Sequence, residues 1–140
     1  MITGPRDAWL ALRMLAWSLV LPLLKYVVPL PLLARLMWSR RGGEPQPWRE
    51  ERVAALAARI ARRRPLPNRD NCLERSLLIY RFLSRLNAEP RLIAGVRRGD
   101  AGVIGHVWVT VGGEPVGESL AALEQYAPIA VFGAAGVRDP

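Results

Sequence analysis

Asp70-Asn71-Cys72-Leu73-Glu74-Arg75-Ser76-Leu77 holds the only cysteine of the 140-residue chain. Pro65 and Pro67 stop whatever precedes it, and from Cys72 to about residue 87 the pattern is helical. Leu73, Leu77 and Tyr80 mark one apolar stripe, and Ser76, Ile79, Leu83 and Leu86 mark a second. Together they cover most of the circumference. That predicts a largely buried helix with Glu74, Arg81 and Arg85 toward its edge. Asn71 followed by Glu74 has the form of a capping box and places Cys72 in the first helical turn. A thiol there meets the positive end of the helix dipole and free backbone N–H groups. Both stabilise thiolate, and the same N–H groups can receive an oxyanion.

The only histidine, His106, lies downstream in the clearest strand of the chain, residues 103–111. Val103, Val107, Val109 and Val111 share one face; Ile104, His106, Trp108 and Thr110 share the other. If the chain is a Cys-His enzyme, one thiol and one imidazole fix its dyad by counting. Taken singly, the cysteine reads as a small buried hydrophobe and the histidine as a structural residue beside a tryptophan. Taken jointly, with a cap before the cysteine and a carboxylate after the strand, they favour catalysis.

A third group usually orients such an imidazole, and the candidates are Asp100, Glu114 and Glu118. The hairpin after residue 111 discriminates between the last two. A two-residue Gly112-Gly113 loop pairs Val107 with Glu118 and turns Glu118 away from His106. A three-residue loop with a bulge pairs Trp108 with Glu118 and brings it to the His106 face. The three-residue loop, and Glu118, are the expectation. Asn71, Leu73 and Arg75 around the helix start, and Trp108 beside His106, are the candidates for oxyanion and substrate contacts.

Around this centre, residues 91–96 read as a strand, 97–102 as a turn, 120–125 as a short helix and 128–132 as a strand. Residues 133–140 look loose. Upstream, Arg40-Arg41-Gly42-Gly43-Glu44-Pro45-Gln46-Pro47 is a linker by composition. A helix over residues 48–63 follows, with Val53, Leu56 and Ile60 on one narrow stripe. Arg59, Arg62, Arg63 and Arg64 crowd its end, either as a solvated terminus or as a docking site for an acidic partner. Residues 8–38 are apolar almost without relief. A bilayer crossing takes roughly 20 consecutive apolar residues, and here Arg13, Lys25, Pro22, Pro29 and Pro31 interrupt the run. The expectation is one or two short helices broken near Pro22 and Pro29. They pack either on the protein's own core or, in the sharper reading, on a partner or a membrane interface. No small-residue cleavage site follows, so a secretory signal is not expected.

Composition bounds the rest. The chain has a length suited to one domain with an appendage, read as an arm and linker over residues 1–45 and a catalytic domain over 46–140. One cysteine excludes an internal disulfide, and one cysteine with one histidine leaves a structural zinc site without ligands. No cofactor is expected. The net charge is +8 and the pI about 11.1. That favours acidic partners, although arginine carries nearly all of it, as codon usage in a GC-rich genome also would.

Cys72-Leu73-Glu74-Arg75-Ser76-Leu77, Tyr80-Arg81-Phe82-Leu83, Ile93-Ala94-Gly95-Val96-Arg97, His106-Val107-Trp108-Val109 and Glu118 together resemble the lasso peptide leader peptidases. That family is similar to transglutaminases and papain-like enzymes. The resemblance covers roughly residues 50–126. It implies an α+β, transglutaminase/papain-like cysteine protease core with a helix bearing Cys72 on a small antiparallel sheet bearing His106. It also implies Cys72 as nucleophile, His106 as base and then acid, and the acidic residue after the strand as orienter. Many members have Ala where Val107 stands and Asp where Glu118 stands. The implied activity is removal of the leader from a ribosomally made precursor peptide in the cytoplasm. The implied partners are that precursor, a separate small leader-recognition protein and an ATP-dependent macrolactam cyclase. Nucleic acid is not among them. The rivals are another acyl transfer on the same fold, transglutaminase or amidase chemistry, and a non-enzymatic basic scaffold that binds RNA or membrane.

Overall fold

Proline decides where the apolar N-terminal run breaks, and it breaks once. A computed structural model of the chain describes residues 4–39, 47–62 and 72–139. Helix α1 spans Pro5–Val27 and runs through Pro22 without interruption. Pro22 forfeits one backbone hydrogen bond to the preceding turn. The helix keeps its course because Met14, Ser18 and Leu21, one buried stripe, are held in the core. The break comes at Val28, the residue before Pro29, which is extended at φ −112° and ψ 124°, as proline imposes on its predecessor. Pro29 then caps α2, Leu30–Met37. The expectation of a break at Pro22 therefore fails. With it fails the expectation that no stretch reaches spanning length. Ala8–Val27 is long and apolar enough to cross a membrane by length and composition, a test that the helix of a soluble protein also passes.

Helix α3 is Pro47–Arg62 and α4 is Cys72–Arg85. Val53, Leu56 and Ala57 of α3 are buried against α4, whose residues 76–80 and 82–84 are all buried. The linker before α3, Arg63, Arg64, and the lead-in from Pro65 through the Asn71 cap position lie outside the described residues. α1 runs antiparallel along α4. Lys25 Nζ meets Glu74 Oε1 at 2.8 Å, the Arg81 guanidinium sits 4.3 Å over the Trp17 ring, and Arg13 sits 5.6 Å over Phe82. Glu74 is thus buried within the helix contact, contrary to its expected place at the edge. A carboxylate can be buried there because an ammonium comes with it.

The sheet follows. β1, Arg91–Gly99, and β2, Gly102–Val111, form a hairpin closed by Asp100 and Ala101. Both strands extend further into the predicted turn than the pattern suggested. β3 is the two residues Glu114–Pro115, α5 is Leu120–Leu123, and β4 is Ala127–Phe132. The order is β3-β2-β1-β4, antiparallel throughout. Leu92, Val109 and Phe132 face α4 and join the core. The tail is not loose over its described part. It makes a 3-10 turn at Ala134–Gly136, a bridge between Phe132 and Arg138, and a buried hydrogen bond from the Tyr80 hydroxyl to Gly133 O at 2.5 Å. The architecture is α+β: helices on one face of a small antiparallel sheet, with the cysteine at the start of the central helix.

Candidate active site

Cys72 is the first residue of α4 and is partly exposed. On a helix, residues three and four further on share its face, and here these are Arg75 and Ser76. The Ser76 hydroxyl donates to the backbone oxygen of Val107 at 2.8 Å. That bond anchors the first turns of α4 to β2 at the residue next to His106. Ser76 is buried, so the bond is shielded from water and strong for its type.

His106 stands opposite Gly95 in the β1–β2 ladder. Gly95 is required there: a Cβ at this position would come within 2.7 Å of the Trp108 ring. The space it leaves is filled by aromatics. His106 lies 5.9 Å from Trp108 and 5.0 Å from Tyr126, ring centre to ring centre, nearly parallel to both. Tyr126, just before β4, accepts a 3.3 Å hydrogen bond from Arg97 Nε. Stacking of this kind fixes the plane of an imidazole and leaves its edge nitrogens to make polar contacts.

One of those nitrogens is engaged. His106 Nε2 and Glu118 Oε1 are 2.5 Å apart, with each side chain 16% exposed. The other oxygen of the carboxylate, Oε2, takes Arg75 Nη2 at 3.3 Å. Glu118 therefore joins β2 to the turn of α4 that follows Cys72. With Nε2–H donated to a carboxylate, the neutral ring carries its lone pair on Nδ1, the nitrogen then able to take a proton.

The hairpin register is the two-residue one. Val111 pairs with Glu114 and Thr110 with Pro115, across Gly112-Gly113. Glu118 still reaches His106, because the ladder ends at Pro115. Val116 N donates once more, to Val109 O at 2.9 Å, and Gly117 then turns the chain at φ +74°, a conformation open to glycine. The pairing of Val107 with Glu118 that a longer strand would impose never forms. Of the other acidic candidates, Asp100 sits exposed at the β1–β2 turn and Glu114 sits exposed opposite Val111. Neither is brought to His106. Leu73 packs against the core and Trp108 is buried beside His106. Arg75 turns to Glu118, while Asn71 lies outside the described residues. Sequence reasoning missed Tyr126 and Arg97. Tyr126 stands on a different strand connection, and no local spacing links it to His106. Among the described residues, no group of three or more His, Cys, Asp or Glu side chains is placed to hold a metal.

Comparison with curated proteins and with solved structures gives no match. A family model does match, over residues 11–131, and its description is the transglutaminase-like superfamily. The span takes in most of α1, the whole of α4 with Cys72, and the His106 strand with its carboxylate partner. Proteins of this superfamily are in general cysteine proteases and acyltransferases. Its reach over nearly the whole chain settles the assignment: this protein belongs to the transglutaminase-like superfamily.

Proposed function

We propose that the protein is a cysteine peptidase that removes the leader from a ribosomally made lasso peptide precursor. The observation that carries the reading is the divided carboxylate of Glu118, which holds His106 Nε2 with one oxygen and Arg75, one turn from Cys72, with the other. It supplies an oriented imidazole tied to the cysteine-bearing turn. The choice of substrate rests on the resemblance of the segments around Cys72, Gly95 and His106 to the leader peptidases.

The reaction runs in two halves. The Cys72 proton passes to His106 Nδ1, and Sγ attacks the scissile carbonyl carbon. The carbonyl oxygen, now an oxyanion, is received by backbone N–H groups at the start of α4. His106 returns the proton to the departing amine as the C–N bond breaks, leaving the leader as a thioester on Cys72 and freeing the core peptide. Water, deprotonated by His106, then hydrolyses the thioester. Glu118 keeps the ring in one tautomer and stabilises the imidazolium between the two transfers. Arg75 and the stack of Trp108 and Tyr126 position Glu118 and the ring. The precursor is presented by a separate leader-recognition protein, the freed core N-terminus passes to a macrolactam cyclase, and the work is done in the cytoplasm.

The test is incubation of the full chain with precursor and recognition protein, followed by mass spectrometry. The expected products are free leader acid and free core. Cys72→Ala and His106→Ala yield neither. Products joined to an amine in place of water would move the assignment to acyl transfer. Intact precursor in every arm, under conditions where the recognition protein binds it, would remove the peptidase reading.

A further inference from the structure

The outer side of α1 carries an apolar face that the fold does not cover. Trp9, Leu12, Leu19, Leu23 and Tyr26 follow one another at three-, four- and seven-residue steps along one stripe, all well exposed. Leu32 and Leu36 of α2 are exposed as well. Of the Ala8–Val27 stretch, only Met14, Ser18 and Leu21 are buried. A patch of this extent marks a surface made for another phase or molecule.

Its charge surroundings say which. At the α1 N-terminal end, between α1, α3 and α4, lies a cavity of about 760 Å³. Arg6, Arg13, Arg49, Arg52 and Arg85 line it, and Trp9 and Phe82 belong to its apolar wall. Among the described residues lining it there is no carboxylate. Trp9 belongs to both the cavity and the exposed stripe. Each guanidinium carries five N–H donors, more than one partner uses, and planar forks of this kind suit phosphate oxygens.

We infer that α1 seats the protein on an anionic phospholipid bilayer, with a lipid phosphate in the arginine-lined cavity and the exposed stripe of α1 in the acyl boundary. The helix lies along the surface. Met14, Ser18 and Leu21 are committed to the core, and Lys25 is held by Glu74, so only the outer face is available to lipid. Tryptophan and tyrosine at the two ends of the stripe suit the headgroup level. The inference stands apart from the peptidase reading, since none of these residues touches the His106 site.

Vesicle co-sedimentation of the full chain tests it. Vesicles of phosphatidylcholine containing phosphatidylglycerol are expected to bind, phosphatidylcholine alone to bind far less, and high salt to release the protein. Arg6→Gln with Arg49→Gln is expected to weaken partitioning about twenty-five-fold, at roughly fivefold for each arginine. Leu19→Glu with Leu23→Glu, both on the exposed face and with folding checked by circular dichroism, is expected to abolish it. Equal binding to both vesicle types, no binding to either, or unchanged binding by either variant would overturn the inference. So would a dimer in solution that Leu19→Glu with Leu23→Glu dissolves, since a second copy would then be what covers the face.

Discussion

Replacing Glu118 by glutamine keeps the shape of the side chain and removes its charge. In the native site one carboxylate oxygen lies 2.5 Å from His106 Nε2, with both side chains 16% exposed. At that burial water screens little. A hydrogen bond between charged partners contributes about 1.5–3 kcal/mol, and it is the imidazolium, not the neutral ring, that gains it. If Cys72 and His106 share a proton as thiolate and imidazolium, losing that amount lowers the thiolate population at neutral pH about 10- to 150-fold. The single cysteine gives a direct readout. Iodoacetamide labelling of Cys72, followed by mass spectrometry from acid to alkaline pH, should slow by one to two orders of magnitude near neutrality. It should be unchanged at high pH, where any thiol is ionised. Arg75→Ala is the internal comparison. Its contact is single and longer, at 3.3 Å, and its side chain is 25% exposed. A pair of that kind contributes about 0–1 kcal/mol, so labelling should change less than about fivefold. A Glu118→Gln profile that overlays the native one would sink the dyad, and the proposed function with it.

Three further outcomes concern stability. Lys25→Met should destabilise by about 3–5 kcal/mol in urea denaturation, because it removes an ammonium 2.8 Å from the buried Glu74 carboxylate; adding Glu74→Met should restore most of the loss. A double variant no more stable than the single one would mean that the pair is held for other reasons. Gly95→Ala places a Cβ within 2.7 Å of the Trp108 ring and 3.1 Å of Ala127 O; it should lose about 1–3 kcal/mol, and an unshifted thermal midpoint would contradict the packing around His106. Burial pushes the Tyr80 hydroxyl up to about 12, against a smaller opposing contact from the Gly136 backbone. The folded state thus favours neutral phenol. Its contribution is complete below pH 10 and is lost as pH rises to 12, about 2–3 kcal/mol in all. Tyr80→Phe should flatten the decline in stability over that window, and an identical slope would refute the assignment.

What the sequence reveals of this protein is what neighbouring residues decide. The Cys72 helix and the His106 strand are written in periodicities of 3.6 and 2, and the Gly112-Gly113 turn is written in residue type. Glu118 is a different case. The expected partner is the observed one, but the expected register is not. Glu118 would follow strand pairing only if the strand after Gly113 continued that far, and the strand stops at Pro115. Nothing local announces how soon a strand will end. Pro22 misleads in the same way, because the packing of Met14 and Leu21 overrides its cost to the helix. The Lys25–Glu74 pair, the Tyr126 stack and the anchored tail join residues far apart in the chain, where composition and spacing carry no signal. The broad family is legible for the opposite reason, since it rests on short motifs that hold the site's own backbone in place.

Glu118 hangs from a loop, not from a strand, and that has an evolutionary consequence. A group on a ladder can move only in steps of two residues, since a single insertion turns it to the other face. Residues 116–119 escape that rule. One residue gained or lost there shifts the carboxylate by a few ångströms, and exchanging glutamate with the shorter aspartate makes up part of the difference. Cys72 and His106, fixed by helix and sheet, have no such latitude. The acidic member of the site is thus the one whose position and identity can change without moving Cys72 or His106.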